Sequence, residues 1–209
     1  MKWTGSNGGG DFEPAPAGTH IARCIRLIDL GTQTGEYEGR VTVRRQVLIT
    51  WELSQELMTT GDHAGQPFTV NKFYTQSLHE KATLRHDLEA WRGRAFTDEE
   101  LAGFDARNIL GAPCLISVVH TDKGKAKVQS VMALPKGTNP PKQVNESILF
   151  SLEPEEYDAA VFDGLSDYWK AMIQTTPEFA ALGRPQAKVS TPTTAAADDE
   201  AFDDDSIPF

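Results

Sequence analysis

The stretch RVTVRRQVLITWEL, residues 40–53, decides the fold of this chain. Apolar and polar residues alternate along it with the period of two that is typical of a half-buried β-strand. Arg45 alone interrupts its apolar face. The other residues of that face are Val41, Val43, Val47, Ile49, Trp51 and Leu53. The sequence therefore predicts a long strand here, with this face directed toward a core.

Further strands are predicted on both sides of this stretch. They are THIARCIRLIDLG (19–31), FTVNKFYTQSL (68–78), APCLISVVHT (112–121) and KAKVQSVMALP (125–135). GEYEGR (35–40) predicts a turn between the first two strands. DKGK (122–125) predicts a tight charged hairpin between the last two.

Helical spacing replaces the strand pattern between the third and fourth strands. The residues at this spacing are Leu84, Leu88 and Trp91. Ser77 with Glu80 predicts the start of this helix, and Gly93 its end. Thr97 with Glu100 repeats the start signal and predicts a short second helix.

The order strand, strand, strand, helix, strand, strand is that of the OB fold, a five-stranded Greek-key barrel. We therefore expect a mainly β protein whose residues 19–136 form a single OB-fold barrel, with a helix between strands 3 and 4. Residues 1–18 contain Gly-Gly-Gly and EPAPAG and are predicted to be a flexible N-terminal segment.

The remaining chain is acidic. Residues 137–209 hold 4 Lys and Arg against 14 Asp and Glu, whereas residues 19–136 hold 15 against 14 and are nearly neutral. Residues 137–183 predict an acidic, partly helical appendix that packs on the barrel flank. Residues 184–209 predict a disordered linker that ends in an acidic tip. Since the acidity is concentrated toward the C-terminus, the whole-chain net charge of −10 does not exclude a nucleic-acid partner.

Composition and motifs exclude several other classes. MKWTGSNGGG, residues 1–10, does not resemble a secretory signal because it lacks an apolar core, and no apolar run approaches the roughly 20 residues that span a bilayer. We therefore expect a cytoplasmic protein without a membrane partner, and its two cysteines predict buried thiols. No nucleotide-binding or catalytic motif is present, and His79 and His86 predict a solvated helix face rather than a metal site. The sequence thus predicts no enzyme activity, no cofactor and no metal.

Binding of single-stranded nucleic acid has more support, because it requires basic residues for the phosphates and aromatic rings that stack on bases. The candidate nucleic-acid-binding residues are Arg23, Arg44, Arg45, Trp51, Lys72, Phe73, Tyr74, Arg94, Lys125 and Lys127. Further charge in the same regions comes from Arg26, Arg92 and Lys123.

Some of these candidates have a structural alternative. Trp51 shares the apolar face of its strand and fits the core better than a stacking surface. Phe73 and Tyr74 are adjacent in a strand, so one points inward, and Tyr74 is favoured as the outward one. A buried arginine is costly unless it is paired, so Arg45 lies near a barrel end or meets an anion. The hairpin lysines could belong to a solvated turn.

The C-terminal tip DDDSIPF, residues 203–209, combines charge with an apolar end. An acidic tail explains Asp203, Asp204 and Asp205 but not a terminal phenylalanine. We expect the aspartates to attract a basic surface, while the apolar end docks into a partner protein. The residues of that end are Ile207, Pro208 and Phe209.

This tip resembles the acidic tip of bacterial single-stranded DNA-binding proteins, although Ser206 separates the aspartates from Ile207. The body is similar to phage-encoded single-stranded DNA-binding proteins that have one OB fold. The stretches that carry the resemblance are GTHIARCIRLIDLGTQTGEYEG (18–39), KFYTQSLHEKATLRHDLEAWRGRAF (72–96), LGAPCLISVVH (110–120) and LPKG (134–137). It implies a protein that coats single-stranded DNA during phage replication, recombination or repair. It also implies that the tip recruits replication, recombination and repair proteins.

The sequence leaves one alternative from another class. The chain could be an adapter or inhibitor that engages a host replication or repair protein through the tip and binds no DNA. Salt dependence separates the two, since DNA binding weakens steeply as salt rises. A homo-oligomer is compatible with either reading.

Overall fold

The protein is mainly β, as predicted, and its computed structural model describes residues 13–37 and 40–183. The strands are β1 (Gly18–Tyr37), β2 (Arg40–Leu57), β3 (Pro67–Thr75), β4 (Pro113–His120), β5 (Ala126–Met132) and β6 (Ile148–Phe150). The helices are α1 (Thr83–Arg92), α2 (Asp98–Ala102), α3 (Ala159–Asp163), α4 (Asp167–Gln174) and α5 (Pro177–Leu182). A 3-10 helix, Ala106–Ile109, follows α2.

The sheet is arranged around β1. Its strand order is β3-β2-β1-β4-β5, with antiparallel neighbours, and β6 adds a parallel pairing to β1. One edge of β1 pairs with β2. The other edge pairs with β4 over residues 18–23 and with β6 over residues 26–28. The sheet therefore has six strands instead of the predicted five.

The sheet is open instead of forming a closed barrel. β3 and β5 are the two ends of the main strand path and approach each other. No hydrogen-bonded ladder joins them within the described part of the chain.

The inner face of the sheet holds the larger core. Trp51 of β2 is fully buried there, and its ring centroid lies 6.1 Å from that of Trp91 on α1. The indole Nε1 of Trp91 donates a hydrogen bond to the Pro113 carbonyl at 2.8 Å, which links α1 to the start of β4. Cys24 and Cys114 are both buried in this core, and burial raises the pKa of the Cys24 thiol to about 12.

Residues 137–183 cover part of the opposite, outer face. β6 and helices α3–α5 form a second core with side chains of β1 and β2, among them Ile28, Leu30 and Leu48. Thr176 precedes α5 and approaches Gly31 of β1 so closely that a β-carbon on the glycine would lie 2.8 Å from the Thr176 hydroxyl. This segment is therefore packed on the sheet and contributes one of its strands.

The sequence predicted some helix ends correctly and one helix start wrongly. Thr97 and Glu100 form the predicted capping box, and Gly93 ends α1 with a φ of +71°. Ser77 is not the predicted N-cap, since α1 begins only at Thr83. The Ser77 hydroxyl instead accepts a hydrogen bond from the His79 backbone within a turn.

The β1–β2 hairpin extends beyond the rest of the sheet. The pairing of β2 with β3 begins only at Gln46, so residues 32–37 and 40–45 form a two-stranded ribbon that we call the arm. Val41 and Val43 lie on the arm and are 69% and 62% exposed. The prediction that they face a core is therefore wrong. The alternating pattern continues past the point at which the ribbon leaves the core.

Candidate nucleic-acid interface

The outer face of β1, β2 and β3 carries the candidate site. The inner-core residues alternate with outward-facing ones, and the strand register aligns the outward residues in three rows. The rows are Arg23–Glu52–Thr69, Arg26–Thr50–Asn71 and Ile28–Leu48–Phe73. Neighbouring strands are about 4.8 Å apart and successive rows about 6.7 Å apart.

The first row is covered by the loop that precedes β6. Glu52 is fully buried, and its carboxylate accepts hydrogen bonds from the backbone N–H groups of Val144 (2.9 Å) and Asn145 (2.6 Å). The Asn145 side chain and the Ser54 hydroxyl also donate to it. Burial by itself would raise the pKa of Glu52, but these hydrogen bonds outweigh it and hold that pKa below its usual value. Glu52 thus fixes the backbone of residues 144–145 against β2.

Arg23, a predicted DNA contact, lies in this covered row. Its guanidinium donates to the carbonyl oxygens of Gly111 (2.6 Å) and Pro141 (3.0 Å). The side chain therefore joins two loops of the protein itself.

The middle row is polar and lies between the two covered rows. The Thr50 hydroxyl donates to the Asn71 side-chain oxygen at 2.8 Å, and Asn71 is exposed. Arg26 is half-buried, and its Nε is buried without a hydrogen-bond partner. Among the described residues, no carboxylate pairs with the Arg26 guanidinium. A half-buried positive charge without a counter-charge is a site that favours an anion.

The third row ends in an aromatic cluster. Phe73 is half-buried against Trp169 of α4, with ring centroids 5.6 Å apart. Tyr168 is 49% exposed, and its ring centroid lies 4.7 Å from that of Trp169. The sequence identified Phe73 as a candidate contact, whereas it placed Tyr168 and Trp169 only within the partly helical appendix. No signal in the sequence places α4 beside β3.

Three predicted contacts lie on the inner face instead. Trp51 is fully buried, in accordance with its structural alternative, and cannot stack on a base. The prediction that Tyr74 points outward is wrong, since it is 1% exposed and its hydroxyl donates to Asp87 of α1 at 2.6 Å. Lys72 pairs with the same Asp87 carboxylate at 2.9 Å. The half-buried Asp87 of α1 thus supplies a hydrogen-bond acceptor for Tyr74 on the inner face.

Arg45 meets an anion, as predicted, but the anion belongs to the protein. Its guanidinium pairs with Asp29 (2.5 Å) and Glu153 (2.8 Å), and the Asp29 hydrogen bond is the main reason that its pKa is raised. A cavity of about 410 Å³ adjoins Asp29 and Glu153 and also has Asp105 and Glu156 in its wall. The wall holds these four carboxylates against one cation, Arg107, which pairs with Asp105 and Glu156, so the cavity is a poor site for phosphate.

The other basic candidates are dispersed. Arg94 is exposed and pairs with Glu100, and this hydrogen bond is the main reason that the pKa of Glu100 falls to about 2. Arg44 lies on the arm, on the same face of β2 as the middle row, while Lys125 and Lys127 belong to the β4–β5 hairpin. The structure therefore brings Arg23, Phe73 and Arg44 to one face and separates the others from it.

The predicted partner-binding tip lies outside the described residues. That holds for Asp203, Asp204, Asp205, Ile207, Pro208 and Phe209. Within residues 13–37 and 40–183, no cluster of three or more His, Cys, Asp or Glu side chains could hold a metal ion. No helix in the same ranges is long and apolar enough to cross a membrane.

Comparison with known proteins adds no assignment. No protein-family model and no curated protein matches this chain.

Proposed function

We propose that this protein binds single-stranded DNA through an OB-type barrel and is phage-encoded. The strand order β3-β2-β1-β4-β5 is the order around such a barrel, opened between β3 and β5. The helix α1 between β3 and β4 and the approach of β3 to β5 support this topology. OB folds bind oligonucleotides on the face of strands 2 and 3, which here includes Asn71 and Phe73.

The observation that carries the proposal is the half-buried Arg26 without an internal counter-charge. In the proposed mechanism its guanidinium holds a backbone phosphate, because arginine donates in a fork that matches phosphate oxygens. Thr69 and Asn71 are exposed on the β3 side of the same face and supply further polar contacts. Such contacts recognise the backbone, so binding has little sequence preference.

The acidic tip has a separate role in this proposal. It recruits replication, recombination and repair proteins, as its likeness to the bacterial tip implies. The adapter function without DNA binding remains the competing hypothesis, and no described residue favours it.

The test is a fluorescence titration of a labelled oligo-dT of about 30 nucleotides, long enough to exceed one OB-fold site. It is repeated at several salt concentrations and with a duplex of equal length. We expect binding to the single strand that weakens steeply with salt, and weaker binding to the duplex. No binding to oligo-dT at low salt would reject the proposal and leave the adapter.

A further inference from the structure

The aromatic cluster at α4 lies beside the anion site at Arg26. From the register, Phe73 is two strands and one row away from Arg26, which is about 12 Å between α-carbons. An arginine side chain and one nucleotide together span such a distance. A phosphate at Arg26 therefore leaves its base within reach of Phe73 and the α4 rings.

Two of these rings reach the surface. Tyr168 is 49% exposed, and Trp169 is half-buried between Tyr168 and Phe73. Trp51 and Trp91 are both buried in the inner core, so Trp169 is the tryptophan of the described chain that a ligand can reach most easily. A base stacks on aromatic faces of this kind without regard to its identity.

The charge of this region restricts how a ligand can lie. The segment around α3 and α4 is acidic, and the Asp167 carboxylate beside Tyr168 is balanced by Lys170 at 2.9 Å. A phosphate therefore gains no net attraction at α4 and is attracted to Arg26, while an uncharged base is accepted at the rings.

We propose that Tyr168 and Trp169 form a base-stacking subsite, so that the C-terminal segment supplies half of the nucleic-acid site. This inference rests on the proposed function and specifies its ligand as a strand with unpaired bases. The subsite belongs to α4 and not to the strands β1 to β5, so an OB-type barrel that lacks the C-terminal segment would not have it.

The experiment compares oligo-dT with an abasic oligodeoxynucleotide of equal length, with Trp169 fluorescence as the readout. The chain carries Trp3→Phe, because Trp3 lies outside the described residues. The signal of Trp169 is the difference between this protein and its Trp169→Phe derivative. We expect quenching by oligo-dT, little quenching by the abasic strand, and weaker binding of the abasic strand.

Affinity variants complete the test. Tyr168→Ala weakens oligo-dT binding about tenfold and leaves the affinity for the abasic strand unchanged, while Tyr168→Phe keeps the ring and the affinity. Binding of oligo-dT without a change in Trp169 fluorescence, or equal affinity of Tyr168→Ala, overturns the subsite but leaves the proposed function. Absence of oligo-dT binding in the unmodified chain rejects both.

Discussion

Arginines of this protein differ in what neutralises them. Arg45, Arg92, Arg94 and Arg107 each pair with at least one carboxylate. Arg26 is half-buried without one. Leaving a partly desolvated charge unpaired lowers the stability of the folded protein, so a ligand that supplies the missing anion relieves this cost.

Replacement of Arg26 tests this contact. Arg26→Gln removes the charge, and we expect the Kd for oligo-dT to rise about tenfold and the salt slope to fall by about one ion. The control is Lys81→Gln, which removes an equal charge from an exposed position before α1 and leaves the Kd nearly unchanged. Titrations of both variants at several salt concentrations measure the effect. Equal affinities for the two would show that Arg26 contacts no phosphate.

Glu52 makes stability depend on pH. Its folded-state pKa lies below the ordinary value of 4.5, so its contribution is complete above pH 4.5 and is lost as the pH falls through the folded pKa. Glu52→Gln places an amide group against donors and costs about 2 kcal/mol of unfolding free energy at pH 7. The control Glu80→Gln, at an exposed position, costs almost nothing.

Urea unfolding of both variants and the parent from pH 7 to pH 3 follows this contribution. The difference between parent and Glu52→Gln narrows toward pH 3, because a protonated glutamate resembles glutamine. A difference that is constant with pH would contradict the assigned role of the carboxylate.

At the scale of elements, the contact between β1 and the segment before α5 depends on one glycine. Gly31 has a φ of +69°, and an added β-carbon would meet the Thr176 side chain at 2.8 to 2.9 Å. Gly65 has a φ of +84°, with nothing within 4 Å of the added carbon. Both glycines have a positive φ, but only at Gly31 would an added β-carbon collide with a neighbouring side chain.

We therefore expect Gly65→Ala to cost about 1 kcal/mol and Gly31→Ala at least about 2 kcal/mol more. The unfolding free energies of the two variants in urea give this comparison directly. Equal losses of unfolding free energy would mean that the second core rearranges around Thr176 at little cost.

The arm provides a test of apolar residues outside the core. Val43→Ala changes the unfolding free energy by less than about 0.5 kcal/mol, since Val43 is exposed. Val128→Ala, in the inner core, costs about 2 kcal/mol. Thermal and urea unfolding of both variants measure the contrast. A large loss for Val43→Ala would show that the arm valines are covered in solution.

At the scale of the molecule, the distribution of acid predicts competition between the tail and DNA. Residues 198–209 carry six carboxylate side chains. We expect their deletion to tighten oligo-dT binding at low salt, and the gain to disappear at high salt because screening weakens the tail's charge. The control is a chain in which the six are replaced by Asn and Gln. If both the deletion and the substituted chain bind oligo-dT at low salt with the affinity of the unmodified protein, the tail does not compete with DNA.

Patterns confined to a few residues were predictable from the sequence. The order of β1 to β5 with α1 and α2, and the Thr97–Glu100 capping box, needed only local patterns, whereas β6 was not predicted. Contacts between distant residues were not predictable in this way. Tyr74 is inward because Asp87 accepts from it, and Arg23 is bound by carbonyls of two loops. The arm valines carry a core-like pattern, and only the length of β3 shows that the core ends before them.

The double pairing of β1 also bears on how the chain folds during synthesis. Arg26, Leu27 and Ile28 meet their β6 partners only after residue 150 has left the ribosome, more than 100 residues later. Until then this part of β1 has one open edge, beside apolar side chains that the C-terminal helices will cover. A nascent chain of this length is exposed to pairing with other chains. Synthesis of β6 and the C-terminal helices thus closes this edge of β1.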